Sequence, residues 1–126
     1  MFYLIDDDVE EHQIFEIALA DADKTAKLIA ASSAVAALEE LNSGKVSPDF
    51  IFLDLEMPLM NGWKFLEEVR NIDTLSKIPI IIYSAFEQKI TREELEKFEI
   101  TSFIFKQPRI SNLSLFIQQI LAKKEV

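Results

Sequence analysis

The sequence contains no cysteine, so a disulfide framework, a thiolate metal site and a thiol nucleophile are all excluded. A reducing compartment is compatible with that absence, and a cytoplasmic location is the expectation. Cations are scarce: 13 lysines and arginines stand against 22 acids, for a net charge of −9. Nucleic-acid affinity rests largely on cationic side chains that displace counterions, so DNA or RNA binding is not expected. No apolar run approaches the roughly 18 residues of a membrane span. The N-terminus reads MFYLIDDD, with acids where a secretory leader would need a basic start and a longer apolar stretch. Membrane attachment and processing are therefore not expected. Histidine occurs once, at His12, and with no second ligand or base nearby it reads as a helix-surface residue. Internal repeats, low-complexity tracts and linkers are missing too.

What is present suits a single core. The chain has 126 residues, 49% hydrophobic and 28% charged, the balance of one globular domain, which commonly takes roughly 100–150 residues. One domain over 1–126 with no output domain is the expected organisation. Five short apolar runs, Phe2 to Ile5, Leu28 to Ala30, Phe50 to Leu53, Ile80 to Tyr83 and Phe103 to Phe105, alternate with longer segments of helical period. Continuous apolarity suits strands covered on both faces, and the alternation predicts an α/β fold with a parallel sheet of five strands and five helices. Helical stripes fall at Ile14, Ile17 and Ala18, at Ala34, Ala37, Leu38 and Leu41, and at Leu113, Phe116, Ile117, Ile120 and Leu121. Asn42, Ser43 and Gly44 stop the second helix, Thr91 and Glu94 have capping-box spacing for the fourth, and Ser111 is the expected N-cap of the fifth. Right-handed crossovers leave few strand orders, and a doubly wound 2-1-3-4-5 sheet is expected. Ligands of such sheets bind beyond the carboxyl ends of the strands where the winding reverses, here between the first and third strands.

Acids occupy both of those ends. Asp6, Asp7 and Asp8 follow the first strand, and Asp54 and Glu56 follow the third. Carboxylates this close push one another's pKa upward unless a cation compensates, and an all-oxygen cluster suits a hard divalent ion such as magnesium. Ser84 ends the fourth strand and Lys106 the fifth, adding a hydroxyl and an ammonium at the same rim. A carboxylate can attack phosphorus if the charge of the transferring group is neutralised as it arrives.

The segments LIDDD, IFLDLEMPLMNG, IIIYSA and FIFKQP resemble the signature strand ends of bacterial response-regulator receiver domains, in the family's order and across essentially the whole chain. The resemblance implies a flavodoxin-like fold and lends support to the 2-1-3-4-5 order. It implies Asp54 as phosphoacceptor; Asp6, Asp7, Asp54 and the backbone carbonyl of Glu56 as magnesium ligands; and Lys106 and Ser84 as the groups that meet the phosphoryl oxygens. Ser84 and Phe103 occupy the switch positions, and Ala85 is the small residue after the switch hydroxyl. The implied donor is a sensor histidine kinase or a histidine phosphotransfer protein, and the implied target is another protein, with the chain a monomer or a phosphorylation-dependent dimer.

Departures from the family pattern are also readable. Gln107 separates Lys106 from Pro108, where the family usually joins Lys directly to a cis Pro. A cis bond before a non-proline costs about 2.5–4 kcal/mol, against about 0.5–1 before proline, so any cis bond is expected at Gln107–Pro108. Phe103 lacks the hydroxyl of the common Tyr, Phe86 stands where a polar residue is frequent, and residues 99 to 102 replace a Gly-Ala turn. Alternatives in other classes are a phosphorylation-independent docking module and a haloacid-dehalogenase-type phosphatase. The latter needs a second Asp two residues after its nucleophile, where this chain has Glu56. Asp8, Glu10 and Glu11 are explained by capping and by the helix dipole, and Trp63 and the phenylalanines by ordinary packing.

Overall fold

In the computed structural model residues 1–85, 90–106 and 109–125 are described. Phe86, Gln107, Pro108 and the peptide bond between the last two lie outside them. The elements run β1 (Phe2–Ile5), α1 (Val9–Ala22), β2 (Leu28–Ala31), α2 (Ala34–Ser43), β3 (Phe50–Leu53), α3 (Gly62–Arg70), β4 (Ile80–Ser84), α4 (Arg92–Lys97), β5 (Ser102–Phe105) and α5 (Ile110–Glu125). The strands form one parallel sheet in the order β2-β1-β3-β4-β5, as expected. The five predicted strands stand within one residue of their predicted ends.

Each strand's alternation divides its side chains between two cores. Tyr3, Ile5, Ile51, Leu53, Ile80 and Ile82 face Ala37, Leu41, Phe65 and Val69 of α2 and α3. Phe2, Leu4, Phe50, Phe52, Ile81 and Tyr83 face Phe15, Leu19, Leu113 and Ile117 of α1 and α5. Aromatic rings concentrate in the second core, where Phe52 meets Phe15 edge-on at 4.8 Å and Phe116 at 6.5 Å. Such pairs add roughly 0.5–1.5 kcal/mol beyond the area they bury. The hydroxyl of buried Ser114 on α5 donates to Asp21 Oδ2 on α1 at 2.8 Å.

Side-chain caps set the helix starts. Asp8, Ser33, Asn61 and Thr91 each accept a backbone N–H from the first turn, and Thr91 and Glu94 close the reciprocal box that their spacing predicts. Gly44 ends α2 in the left-handed region at φ 79°, a conformation that costs glycine nothing. Two expectations are corrected. Helix α5 already begins at Ile110, so Ser111 lies inside its first turn and is not its N-cap. Ile17 is 55% exposed; α1 turns Phe15, Ala18 and Leu19 inward instead.

Candidate functional site

The register of the central strands fixes where the acids emerge. Ile5 pairs with Leu53, and the Asp54 N–H donates to the Ile5 carbonyl at 3.0 Å, so Asp6 and Asp54 leave the sheet side by side. Both are buried, at 0% and 5% exposure. Each commits one oxygen to its own main chain: Asp6 Oδ1 accepts the Asp8 N–H at 3.0 Å, and Asp54 Oδ1 accepts the Glu56 N–H at 3.1 Å. These Asx turns bend the chain away from the strand axis. The other oxygens face a shared cation, with Lys106 Nζ 2.7 Å from Asp6 Oδ2 and 3.4 Å from Asp54 Oδ2. Lys106 is placed by β5, and its own N–H donates to the Ser84 carbonyl at 2.7 Å.

Asp7 is exposed, yet Asp6, Asp7 and Asp54 each offer an oxygen within 4.8 Å of the others. Ser84 is 3% exposed, and its hydroxyl has no hydrogen-bond partner among the described residues. A buried donor left unpaired costs on the order of 1–3 kcal/mol, which marks a place where an acceptor is missing. The structure thus brings Asp6, Asp7, Asp54 and Lys106 together and sets Ser84 at the end of the adjoining strand. Glu56 meets the crevice through its N–H on Asp54. Phe103 takes no part in these contacts; it is 43% exposed and lies edge-on to Phe105 at 6.1 Å.

Electrostatics follow from this enclosure. Burial pushes the Asp54 carboxyl up to about 6, against the pull of the Glu56 N–H and Lys106 and with the push of Asp6. Burial works against the charge of Lys106, but hydrogen bonding and attraction to Asp6, with Asp54 and Glu11 behind it, hold its pKa above the ordinary lysine value. One ammonium against three carboxylates leaves the crevice net negative, and every available donor is a hard oxygen. This set fits a divalent cation of the magnesium type.

Three neighbours escaped the sequence reading. The Tyr83 hydroxyl, on a residue fully buried in β4, donates to Glu11 Oε2 at 3.0 Å, and Lys106 Nζ stands 5.8 Å from the Tyr83 ring centre. Burial, then Glu11, raises the Tyr83 pKa. His12, only partly buried on α1, places Nε2 2.6 Å from the Asp6 carbonyl, so that ring nitrogen donates and steadies the turn after β1. Glycine at position 62 was the readable signal: a β-carbon there would stand 2.6 Å from Leu55 Cα and 2.9 Å from the Asp54 carbonyl oxygen. Only glycine lets α3 start this close beneath the loop that follows β3. On that loop Leu59 holds φ 70° and is 97% exposed.

A five-stranded, doubly wound α/β domain with a lysine-bridged acidic crevice at its winding reversal is the class that fold and site define. The family model of the response regulator receiver domain matches residues 2–118, and the chain belongs to that family, the receiver domain of two-component response regulators. Among curated relatives it is 33% identical over 79 residues to Sensor histidine kinase CheAY of Helicobacter pylori, covering 63% of this chain and 10% of that protein. It is 41% identical over 66 residues to a protein-glutamate methylesterase/protein-glutamine glutaminase of Clostridium acetobutylicum, covering 52% of this chain and 19% of that one. The chain therefore spans a small part of these relatives. The phosphorylated cyanobacterial phytochrome response regulator RcpA superposes with a TM-score of 0.81 at 22% identity, covering 94% of this chain and 89% of that one. Chemotaxis protein CheY4 of Vibrio cholerae gives 0.78 at 22% identity, covering 94% and 96%. Both likenesses bear on the fold. Among the described residues no helix is long and apolar enough to cross a membrane.

Proposed function

We propose that the chain is a phosphorylation-dependent switch that accepts a phosphoryl group on Asp54 from the phosphohistidine of a sensor kinase or phosphotransfer protein. The observation that carries this is the pairing of the buried Asp54 carboxylate with Lys106 at 3.4 Å, beside a Ser84 hydroxyl that lacks an acceptor. An Asp54 oxygen attacks phosphorus, the phosphorus–nitrogen bond of the donor breaks, and its electron pair returns to the imidazole. An acyl phosphate results. Asp6, Asp7, Asp54 and the Glu56 carbonyl would hold magnesium, which supplies positive charge against the phosphoryl oxygens. Lys106 neutralises a further oxygen, and Ser84 donates to another, which relieves its missing bond.

The acyl phosphate carries about −1.5 to −2 of charge where the free carboxylate carried −1. Its effect on the surface is bounded by how much better one conformation accommodates it than the other. Drawing Ser84 and Lys106 toward it shifts the β4 and β5 ends, and with them Phe103, toward a form that binds a target protein or passes the phosphoryl group on. That a relative bears the name of a sensor histidine kinase agrees with such a donor. Incubation with acetyl phosphate and magnesium should give an intact-mass gain of one phosphoryl group, absent in Asp54→Ala and strongly reduced in Lys106→Ala. No gain in the unmodified chain would overturn the reading in favour of a docking module that works unphosphorylated.

A further inference from the structure

Away from the crevice, helices α3 and α4 enclose a cleft of about 370 Å³ lined by Trp63, Glu93, Glu94, Lys97 and Phe98. Its floor is aromatic: the Trp63 and Phe98 rings meet at 5.5 Å, tilted by 47°. Its walls are anionic. Glu94 is fixed there because its Oε1 accepts both the N–H and the hydroxyl of Thr91, at 3.0 and 3.1 Å. Glu93 is exposed, with no cation paired to it among the described residues. Among the described residues the only positive group lining the cleft is Lys97, whose Nζ lies 5.1 Å from the centre of the Phe98 ring.

Aromatic faces beside carboxylates attract cations, with tryptophan the strongest of the faces and arginine the more frequent guest. A planar guanidinium can stack on indole and also present donors to a carboxylate, which an ammonium does less well. The two sides of the cleft are tied together by a side chain of α3. Arg70 stands seven residues after Trp63, on the same face of α3, and donates to the carbonyls of Phe98 at 2.8 Å and Glu99 at 3.1 Å, and to those of Ser76 and Ile78 at 2.9 and 3.1 Å. The C-terminal end of α4 is thereby fixed in the position that presents Phe98 to Trp63, so little ordering remains to be done on binding.

We propose that this cleft receives an arginine side chain of a partner protein, stacked on Trp63 and paired with Glu93, and that Lys97 holds part of the place in the free chain. The site is independent of the phosphoacceptor reading. The argument for this occupant is charge complementarity: an acidic wall on a chain of net charge −9 around an aromatic floor that already carries a cation.

Trp63 is the only tryptophan, so its fluorescence reports on the cleft directly. Titration of the whole chain with N-acetyl-L-argininamide should change that emission saturably, whereas the neutral N-acetyl-L-glutaminamide at equal ionic strength should not. Glu93→Gln should weaken binding by about three-fold and Lys97→Gln should tighten it by about as much, factors that correspond to an exposed cation–π or ion-pair contact. Lys27→Gln, the same charge change at β2's distant start, should leave it unaltered. Amide shifts in a ¹⁵N spectrum should fall on α3 and α4. A response that is equal for both amides, or that Lys27→Gln alters as much as Lys97→Gln, would show only general electrostatics and overturn the proposal.

Discussion

Strands β4 and β5 are neighbours in the sheet, but all five residues of β4 are buried and none of the four in β5 is. The interior strand has Ile80 and Ile82 set into one core and Ile81 and Tyr83 into the other. The edge strand leans on α5 through Ile104, and α4, the helix that leads into it, has no buried residue. Interior packing at this density tolerates little movement, whereas sparse contacts allow local opening at low free energy. The acids of the crevice therefore ride on the stiff part of the molecule, and the cation that meets them, Lys106, rides on the compliant part. An event that pulls on Lys106 moves the half that is cheap to move.

The contrast can be broken or sharpened by experiment. The largest effect should come from the interior: Phe52→Ala removes a fully buried ring from between Phe2, Phe15, Tyr83 and Phe116 and should cost about 3–5 kcal/mol in urea unfolding. Less than about 1 kcal/mol would mean that the interior is not tightly packed. Next comes the tether of α4. Arg70→Met deletes four hydrogen bonds to backbone carbonyls and should cost about 2 kcal/mol, within the range for charged donors, with faster amide exchange confined to α4 and the turn after α3. Uniform acceleration across the sheet would contradict a local clamp.

A smaller effect concerns charge. The Asp54 pKa rises from 3.8 to about 6 on folding, so between these values the folded chain binds more protons than the unfolded one. Stability then falls as pH rises through that window and levels off above it. With a chelator present, the Tm of Asp54→Asn relative to the unmodified chain should climb by a few degrees from about pH 4 to pH 6 and then hold steady. A difference independent of pH would remove Asp54 as the titrating group. Smallest of all, Phe103→Ala at the half-exposed edge should cost under about 1 kcal/mol; a loss as large as that of Phe52→Ala would erase the contrast between the strands.

Much of this architecture could be read from residue order because buried parallel strands need unbroken apolar runs, and FYLI, FIFL and IIIY can hardly serve another purpose in a chain this short. Asp6, Asp7 and Asp54 were readable because topology forces strand ends on either side of a winding reversal to meet, and Ser84 and Lys106 because they end the next two strands at the same rim. Other contacts left no trace. Tyr83 and Glu11 are 72 residues apart, and nothing local distinguishes a tyrosine whose hydroxyl will meet a carboxylate from one that merely packs. Arg70 looks like an ordinary basic residue in a last helical turn, since its partners are backbone carbonyls that any sequence supplies. Ile17 fits the helical period but falls on the flank that α5 leaves uncovered, and the reach of a neighbouring helix is a tertiary fact. Ser111 is a good capping residue displaced by one turn position, a matter that local preference alone does not decide.

The matched Asx turns at Asp6 and Asp54 have a practical consequence for anyone altering the crevice. Asparagine at either position keeps the oxygen that accepts the backbone N–H two residues on, but aims an amide donor at an ammonium; alanine removes the acceptor and the charge together. Substituting both ways at one position therefore separates what the carboxylate does for the shape of the main chain from what it does for the voltage inside the crevice, with no second site disturbed.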